Sequence, residues 1–506
     1  MKKTLSLLLA LVLLLSVASF ASAEEEKTLR VFYTTGHTAS AHTDLILAWI
    51  EEQLGCKYEL NVGDSSNFEQ QLALYLASGD MPDIVWCNYT TWAEYAAQGA
   101  WADISEYLEE YPDLKNYPED QSVWALMAVN GEGVYGVPNT INIDSNLAMF
   151  IRQDWLDNLG LDMPQTIDEY ADVIRAFTQN DPDQDGEDDT YGIVAASYKH
   201  FTPFLGAFGA VADEHYFLNE EGKVVTNAIS ENYREGLRWL RELYAEGCID
   251  PDSLSDPGFG PAGWCNGEDG IYSCAWSWAA MVYPKKDFGI LNPTAQVEGC
   301  PMPVGENGEA GNLFQGAFST VVAVSATSDD ETKDLAAKML NLAATDEGFW
   351  TTFLGIKGLY WDYDENGKIV SWNNNGGYLL DGTPMDVASV EMYKLLYHEK
   401  EQATLYDASL SEKDRLLVDG DRQRQNNPYY KNLFAYLTTD EMVELGSTTA
   451  NYFHQSMIEF LKGEKDLDTD WDEYVTTYLS MGGEAIRQSL LELYNATYGT
   501  DYVFAD

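Results

Sequence analysis

Short β-rich runs and stretches of helical periodicity alternate along most of this 506-residue chain. The run TLRVFYT (residues 28–34) is rich in β-branched and aromatic side chains, and the segment from Asp44 to Leu54 repeats its apolar positions at helical spacing. The two predict a strand followed by a helix. Because the same alternation recurs further along, the pattern favours an α/β architecture over a helical bundle or a β-sandwich.

Two capping signals mark where helices begin. In SSNFEQQLALYLASGDMPDIVW, Ser66 and Glu69 have the spacing of a capping box, and a short buried strand is predicted from Asp83 to Trp86. In PQTIDEYADVIRAF, Thr166 and Glu169 have the same spacing. Each pair predicts a helix that begins directly after the serine or threonine.

Further along, GEDGIYSCAWSW predicts an apolar strand that runs into tryptophans, YWDYDENGKIVSW predicts a β-hairpin, and the last 60 residues predict helices. The sequence has no internal repeat or low-complexity linker, so we expect domains that are joined by several chain crossings. In open α/β sheets, ligands bind beyond the carboxyl ends of strands. We therefore expect the ligand near the loops that follow Trp86 and Ala275.

The first residues, MKKTLSLLLALVLLLSVASFASAEEE, have the pattern of a secretory signal, with two lysines, an apolar run and Ala21-Ser22-Ala23 before acidic residues. We expect residues 1–23 to be a signal peptide that is removed on export. An uncleaved anchor is the alternative, but the run is shorter than the roughly 20 residues that span a bilayer. No lipid-attachment cysteine ends the run, so we expect a soluble exported protein of the periplasm, cell envelope or extracellular space.

The charge of the chain restricts its partners. Aspartate and glutamate number 83 against 29 lysine and arginine, which gives a formal charge of -54. Phosphate binding requires clustered cations, so nucleic acid and anionic membranes are poor partners. The six cysteines show no C-x-x-C spacing, and Cys265 and Cys274 either pair or remain buried thiols. We expect a monomer with two or three domains.

The segment NDPDQDGEDDTYG (residues 180–192) concentrates carboxylates in one loop, with Gly186 at position six. Calcium takes six to eight oxygens, which alternate residues of a tight loop can supply around such a glycine. The loop therefore predicts a Ca²⁺ site, with a solvated acidic loop as the alternative. Position twelve is Gly192 rather than the glutamate of an EF-hand. The predicted ligands are Asp181, Asp183, Asp185, Glu187 through its carbonyl, and Asp189.

Aromatic and amide side chains follow two predicted strands, in VWCNYTTW and CAWSWAA. A flat indole can cover the C–H face of a sugar ring while an amide satisfies its hydroxyls. For Phe318 and Trp361, packing in the core is an equal alternative to ligand contact. The predicted ligand contacts are Trp86, Asn88, Tyr89, Trp276, Trp278, Phe318 and Trp361.

The sequence contains neither a G-x-S-x-G nucleophile motif nor a phosphate-binding glycine loop, and we expect no enzymatic activity. A secreted glycoside hydrolase is one alternative, because 83 acidic residues make any carboxylate spacing easy to find. A peptide-binding receptor on the same architecture is another, although the paucity of lysine and arginine argues modestly against it.

Five segments resemble the bacterial extracellular solute-binding proteins of sugar-importing ABC transporters, family 1-like, in particular the larger oligosaccharide-binding members. They are LASGDMPDIVW, EGVYGVPNT, the block from Arg152 to Gly192, FLGIKGLYWDYDENGKI and FLKGEKDLDTDWDEYV. The resemblance runs from about residue 28 to the C-terminus, and the block from Arg152 to Gly192 is its most specific part.

The resemblance implies a type II periplasmic-binding-protein fold, with two α/β lobes, multiple interlobe crossings and a helical C-terminal region. Residues 24–145 with about 305–375 would form lobe 1, and residues 146–304 with about 376–506 would form lobe 2. An oligosaccharide would be captured by lobe closure and delivered unaltered to the permease subunits, and the acidic charge favours a neutral one. The acidic loop would be a calcium loop in which Thr190 replaces an acid.

Overall fold

The computed structural model describes residues 27–34, 39–63, 67–118, 121–129, 132–140, 147–187, 189–195, 197–254, 262–275, 291–313, 318–367, 369–371, 379–384, 391–396 and 428–505. By its contacts the chain divides into two compact units. Unit 1 takes Met1–Thr140 with Thr320–His398, and unit 2 takes Ile141–Ser319 with Glu399–Asp506. The chain therefore passes between the units three times.

Strands and helices alternate along the described residues. The strands are β1 (Thr28–Thr34), β2 (Lys57–Gly63), β3 (Ile84–Asn88), β4 (Val137–Thr140), β5 (Leu147–Arg152), β6 (Tyr191–Ala195), β7 (Tyr216–Leu218), β8 (Val224–Thr226), β9 (Asp269–Ala275), β10 (Val297–Gly299), β11 (Asn312–Leu313), β12 (Phe318–Val324), β13 (Trp361–Tyr363), β14 (Ile369–Ser371) and β15 (Tyr429–Tyr430). The α-helices are α1 (Ala41–Leu54), α2 (Phe68–Ser78), α3 (Tyr89–Ala97), α4 (Ser105–Glu110), α5 (Pro112–Asn116), α6 (Gln153–Leu159), α7 (Ile167–Gln179), α8 (Thr202–Gly206), α9 (Glu231–Ala245), α10 (Ala262–Asn266), α11 (Asp330–Ala344), α12 (Asp346–Leu354), α13 (Asp440–Lys462), α14 (Trp471–Tyr478) and α15 (Glu484–Tyr498). None of these described helices has the length and apolar character needed to cross a membrane.

In unit 1, the described strands form a sheet in the order β2-β1-β3-β12-β4. Strand β1 is parallel to β2 and β3, whereas β12 is antiparallel to β3. Helix α1 begins after Ser40, whose hydroxyl caps the first turn, and ends at Gly55 with φ 75°. Glycine adopts this left-handed conformation at no steric cost. The strand and helix predicted from residues 28 to 54 are confirmed.

The capping box predicted for helix α2 involves Ser66, which lies outside the described residues. The N-cap is Asn67, one residue after Ser66, and its side chain makes no capping hydrogen bond. Glu69 instead accepts hydrogen bonds from the Asn88 amide and the Thr91 hydroxyl, at 3.1 and 3.2 Å. The carboxylate that the spacing assigned to its own helix therefore connects α2 to the end of β3.

In unit 2, the described strands form a sheet in the order β10-β5-β9-β6. Strand β5 is antiparallel to both β9 and β10, and β9 is parallel to β6. All six residues of β5 are buried, as expected for a strand covered on both faces. Residues on one face of the sheet, such as Ile151, Ile193 and Ile271, belong to the main hydrophobic core of the unit.

Helix α7 confirms the second capping signal. The Thr166 hydroxyl accepts from the Glu169 amide at 3.3 Å, and the Glu169 carboxylate accepts from the Thr166 amide at 2.9 Å. The apolar positions Tyr170, Ile174 and Phe177 recur at helical spacing and are fully buried. The helix therefore has a fixed beginning and a single face toward the core.

The end of the chain is helical, as predicted, and belongs to unit 2. Phe453 and Phe460 of α13 pack in the same core as Tyr233 and Leu237 of α9. The predicted hairpin is formed by β13 and β14, which pair antiparallel in unit 1. Its first residue, Trp361, is fully buried.

Candidate functional site

Polar and aromatic side chains gather at one edge of the unit 1 sheet. Strands β1 and β3 end at this edge, and β12 begins there because it runs antiparallel to β3. Thr320 is opposite Asn88, and Trp86 lies beside Tyr33 with ring centroids 5.4 Å apart and planes at 86°. Because side chains alternate along a strand, these four residues share one face. We call Tyr33, Trp86, Asn88 and Thr320 the strand-edge patch.

Two buried polar atoms of the strand-edge patch have no hydrogen-bond partner among the residues that the structure describes. They are Nε1 of Trp86 and Oγ1 of Thr320. The Trp86 side chain as a whole is only half-buried, so part of its ring remains accessible. Buried polar groups in native proteins are nearly always paired, and each exception requires an explanation. An indole N–H and a hydroxyl beside two aromatic rings are groups that a polyhydroxylated ligand would satisfy.

Asn88 has a structural role at the same edge. Its Oδ1 accepts from the Thr91 amide at 2.8 Å and caps helix α3, while its Nδ2 donates to Glu69 at 3.1 Å. Both ends of the amide are therefore engaged within the protein. Direct contact between Asn88 and a ligand stays a prediction.

Tyr89 is the first residue of α3 rather than part of a loop. Its ring stacks on Trp92, with centroids 5.4 Å apart and planes at 28°. Trp92 is buried and donates through Nε1 to the Tyr135 carbonyl at 3.0 Å. The Tyr89 ring is half-buried on this rigid support, and its ligand contact also stays a prediction.

The other predicted contacts differ in their surroundings. Trp276 and Trp278 lie outside the described residues, directly after β9 ends at Ala275. Phe318 is 2% exposed and stacks on Tyr436 with centroids 5.0 Å apart. Trp361 is 0% exposed and donates through Nε1 to the Gly355 carbonyl at 2.8 Å. For Phe318 and Trp361, this burial favours core packing over ligand contact.

The acidic loop joins α7 to β6 in unit 2. One carboxylate oxygen from each of Asp181, Asp183 and Asp185 lies within 4.8 Å of the others. The backbone takes the left-handed region at Asp181 and Gln184, which non-glycine residues rarely adopt, and at Gly186. The amides of Asp185 and Glu187 donate to the carboxylates of Asp181 and Asp185, at 3.1 and 2.8 Å. The loop thus turns tightly with its first three acids together.

One atom of this loop fits a cation in particular. Oδ1 of Asp183 is buried and has no hydrogen-bond partner in the described part of the loop and its neighbours. Burial, followed by the charge of Asp185, raises the pKa of the Asp183 carboxyl. Thr190 does not face the loop freely, because its hydroxyl donates to the Phe177 carbonyl at 2.7 Å. Glu187 and Asp189 are exposed, at positions seven and nine.

Gly192 explains why the loop lacks the last acid of an EF-hand. A Cβ atom at this position would lie 2.2 Å from the Ile174 carbonyl oxygen, in the backbone of α7. No side chain fits there without moving the helix from the strand. Position twelve is therefore occupied by a glycine for packing reasons, and any further metal oxygen must come from elsewhere in the loop.

Unit 2 also contains a largely half-buried polar cluster that the sequence did not predict. Lys199 and Asp213 form an ion pair at 3.3 Å, and Nε2 of His454 lies 3.9 Å from Asp213. Nδ1 of His200 and both ring nitrogens of His215 are buried without a partner. Burial first, and then the charge of Lys199, lowers the pKa of His200 to about 4. Although burial opposes it, the neighbouring His454 and Lys199 hold the pKa of Asp213 well below its usual range.

Sequence reasoning missed Tyr33 and Thr320 in the strand-edge patch. Tyr33 is the penultimate residue of a correctly predicted strand, so the alternation of β1 could have assigned it to the face of Trp86. Thr320 carries no local signal. It reaches Asn88 only through the register of β12 against β3, which a single sequence does not specify.

An α/β protein with an aromatic, hydrogen-bonding patch at the carboxyl ends of its strands has the features of a binding protein of the type II periplasmic class. The family model for bacterial extracellular solute-binding proteins matches residues 39–348. The chain therefore belongs to this family, and the resemblance drawn from the sequence is confirmed.

Related proteins cover most of the chain. Lipoprotein LipO of Bacillus subtilis is 24% identical over 463 residues, which are 88% of each chain. The fructooligosaccharide ABC transporter substrate-binding protein FusA of Streptococcus pneumoniae is 29% identical over 252 residues, which are 46% of each chain.

Two solved structures of FusA have the same fold. The complex with kestose matches with a TM-score of 0.70 at 20% identity, over 94% of this chain and 100% of that one. An EF-hand mutant in complex with fructo-nystose matches with a TM-score of 0.69 at 19% identity, over the same shares. The expected type II, two-lobe α/β fold class is confirmed.

Proposed function

We propose that this chain is the substrate-binding component of an ABC importer and that it captures a neutral oligosaccharide. The observation that carries the proposal is the strand-edge patch, where Nε1 of Trp86 and Oγ1 of Thr320 are buried without partners. The name of FusA, a fructooligosaccharide-binding relative, supports the same class of ligand.

The patch has the chemistry that a sugar requires. The indole N–H of Trp86 would donate to a sugar hydroxyl, and the Thr320 hydroxyl would donate to or accept from another. The accessible part of the indole ring would cover a C–H face of the sugar. Each hydrogen bond contributes about 0.5–1.5 kcal/mol, and leaving such groups unsatisfied in the complex would cost as much or more.

The charge near the patch favours an uncharged ligand. Oε1 of Glu69 lies 3.1 Å from the Asn88 amide nitrogen, and the chain as a whole carries a formal charge of -54. A uronic acid carboxylate placed at the patch would be repelled by Glu69. A hydroxyl would instead find an acceptor there.

The proposed mechanism is lobe closure without chemistry. Residues 24–145 with about 305–375, and 146–304 with about 376–506, would form the two lobes, with Trp276 and Trp278 contributing contacts from the second. The sugar shifts the equilibrium toward the closed form by its difference in affinity between the two forms. The permease subunits would then recognise the closed form. We propose that the protein acts as a monomer.

Isothermal titration calorimetry with kestose and a panel of neutral and uronic oligosaccharides tests the proposal. Thr320→Val keeps the shape of the side chain and removes a hydroxyl without a protein partner, so the fold should tolerate it. We expect it to weaken binding of the preferred neutral sugar about tenfold, or about 1.4 kcal/mol. Thr476→Val, on the exposed face of α14, is the matched control and should bind normally.

Two results would contradict the proposal. If Thr320→Val and Trp86→Ala both bind the sugar as the unaltered protein does, the strand-edge patch is not the site. If the protein releases reducing ends from the sugar panel, it is a glycoside hydrolase. A preference for peptides over all sugars would instead identify a peptide receptor on the same fold.

We also propose that the acidic loop binds Ca²⁺ as a structural ion. Asp181, Asp183 and Asp185 would hold it, with the carbonyl of Glu187 and the carboxylate of Asp189. The clustered carboxylates and the buried, partnerless Oδ1 of Asp183 fit a hard cation. One solved structure of the relative FusA is named as an EF-hand mutant, which supports a calcium loop in this family. When bound, the ion would offset the repulsion among the acids and fix the turn from α7 to β6.

Export completes the proposal. We propose that residues 1–23 are a cleaved signal peptide and that the mature chain lies outside the cytoplasmic membrane. The family description, bacterial extracellular solute-binding protein, supports this location. LipO is named a lipoprotein, whereas the apolar run here ends in Ala21-Ser22-Ala23 without a cysteine. The mass of the secreted protein, measured by mass spectrometry, should equal that of a chain that begins at Glu24 and carries no lipid.

A further inference from the structure

Two carboxylates meet inside unit 2 beside Gly263 of helix α10. Asp250 is 6% exposed, and Asp269, the first residue of β9, is 0% exposed. A methyl carbon on Gly263 would lie 2.6 Å from Oδ2 of each aspartate. The two oxygens are therefore no farther apart than twice that distance, and a residue larger than glycine would press on both.

Among the described residues, few groups near this pair would neutralise its charge. Oδ1 of Asp250 accepts from the Asp252 amide at 2.8 Å, whereas neither carboxylate oxygen of Asp269 has a hydrogen-bond partner in the described part of the chain. Burial first, and then the charges of Asp250, Glu268 and Asp252, raises the pKa of Asp269 well above its usual value. The charged neighbours that contribute most to this shift, Asp250, Glu268 and Asp252, are all acidic.

A guanidinium lies in the same region but is engaged elsewhere. Arg152 donates to the Gly267 carbonyl at 3.1 Å and binds both oxygens of Asp154, at 2.9 and 2.8 Å. Two buried carboxylates this close cost more free energy than a folded protein usually tolerates when no counterion lies beside them, and the described residues supply none. A bound proton or a bound cation would offset this cost.

We propose that Asp250 and Asp269 bind a hard divalent cation, of the class of Ca²⁺, Mg²⁺ and Mn²⁺, at a site separate from the acidic loop. Both oxygens of Asp269 and Oδ2 of Asp250 supply three ligands of the type that these ions prefer. The two negative charges of Asp250 and Asp269 would be balanced by the two positive charges of the cation. Exposed Asp252 and half-buried Glu268 add negative potential between the pair and the solvent, which attracts a cation to the site.

The ion would join two parts of the unit 2 sheet. Asp250 follows Ile249, which forms a bridge with Ile193 of β6, and the Asp250 amide donates to the Ile193 carbonyl at 2.9 Å. Asp269 opens β9 and pairs with Tyr191 at the start of β6. Binding would therefore fix the segment after α9 to the beginning of β9. The site does not depend on the proposed sugar function.

Metal counting on chelator-stripped protein tests the proposal. The starting variant carries Asp183→Asn and Asp185→Asn, which disable the acidic loop. After equilibrium dialysis against Ca²⁺, Mg²⁺ or Mn²⁺ in turn, inductively coupled plasma mass spectrometry should find one bound equivalent of at least one of these ions. Adding Asp250→Asn and Asp269→Asn should lower the affinity at least tenfold, whereas adding Asp472→Asn, a control at an exposed aspartate of α14, should leave the equivalent in place.

Three outcomes would overturn the proposal. The loop-disabled protein could bind none of the three metals, or the equivalent could survive both aspartate substitutions. Alternatively, Asp269→Asn could raise the melting temperature equally with metal and with chelator, which would mean that the pair shares a proton. If Asp269→Asn does not fold, Asp250→Asn alone keeps the fully buried residue intact and should still weaken metal binding tenfold.

Discussion

His200 provides a measurable link between pH and the stability of unit 2. Burial, and secondarily the charge of Lys199, lowers the pKa of its imidazole from 6.5 to about 4. Because the folded pKa lies below the unfolded one, protonation favours the unfolded chain. The stability that the folded chain gains from keeping His200 neutral is complete above pH 6.5 and is lost as the pH falls toward 4.

The size of the effect follows from the two pKa values. Between about pH 7.5 and about pH 4.5, the linkage lowers the free energy of unfolding by about 2.5 kcal/mol for this group alone. His215, whose pKa burial also lowers, acts in the same direction. The pKa of Glu214 is raised in the folded protein, so the protonation of Glu214 as the pH falls stabilises the folded chain and opposes the effect of His200. The repulsion among the many carboxylates also weakens as they protonate, so the test must compare variants rather than absolute values.

The assay is urea unfolding, followed by tryptophan fluorescence, at a series of pH values. His200→Gln cannot be protonated, so the unaltered protein should lose about 2.5 kcal/mol more than this variant between the two pH limits. Lys199→Gln should show an intermediate loss, because Lys199 is the second cause of the lowered pKa of His200. A difference between the protein and His200→Gln that does not change with pH would refute the reasoning.

Three further predictions concern the fold and the acidic loop. Thr166→Ala removes one arm of a formed capping box and should lower the free energy of unfolding by about 1 kcal/mol in urea, while Thr166→Ser should restore it. Trp361→Ala should destabilise the protein by about 3–5 kcal/mol yet leave the sugar affinity of the folded protein unchanged, and a lost affinity would make Trp361 a ligand contact. Calcium should raise the melting temperature of the chelator-stripped protein, by an amount equivalent to about 2.7 kcal/mol at 100 times its dissociation constant, and Asp183→Asn should abolish most of this rise. An equal rise in both proteins would remove the acidic loop as the site.

Local signals in the sequence predicted the parts of the fold that are fixed locally. The strand over residues 28–34 and the helix after Thr166 are confirmed because β-rich composition and a capping box act within a few residues. At helix α2 the described N-cap is Asn67, and Glu69 accepts hydrogen bonds from Asn88 and Thr91, partners that the local spacing does not predict.

The candidate sites divide in the same way. The cluster of acids in the loop could be predicted because its members are close together in the sequence. Thr320 could not be predicted, because only the register of β12 against β3 brings it opposite Asn88. The pair of Asp250 and Asp269 could not be predicted either, because the two carboxylates meet only in the folded chain, beside Gly263 of α10. Trp361, predicted as an equal choice between packing and binding, is buried because the hairpin folds its indole inward onto the Gly355 carbonyl.

The position of β12 has a consequence for biogenesis. This strand lies between β3 and β4 in the unit 1 sheet, although it comes at the end of the first unit 2 segment, Ile141–Ser319, in the chain. A nascent polypeptide that ends before Phe318 leaves β3 with an unprotected edge and β4 with no neighbour in the sheet. The unit 1 sheet is therefore complete only after translation has passed Val324, and shorter fragments expose strand edges of the kind that favour aggregation.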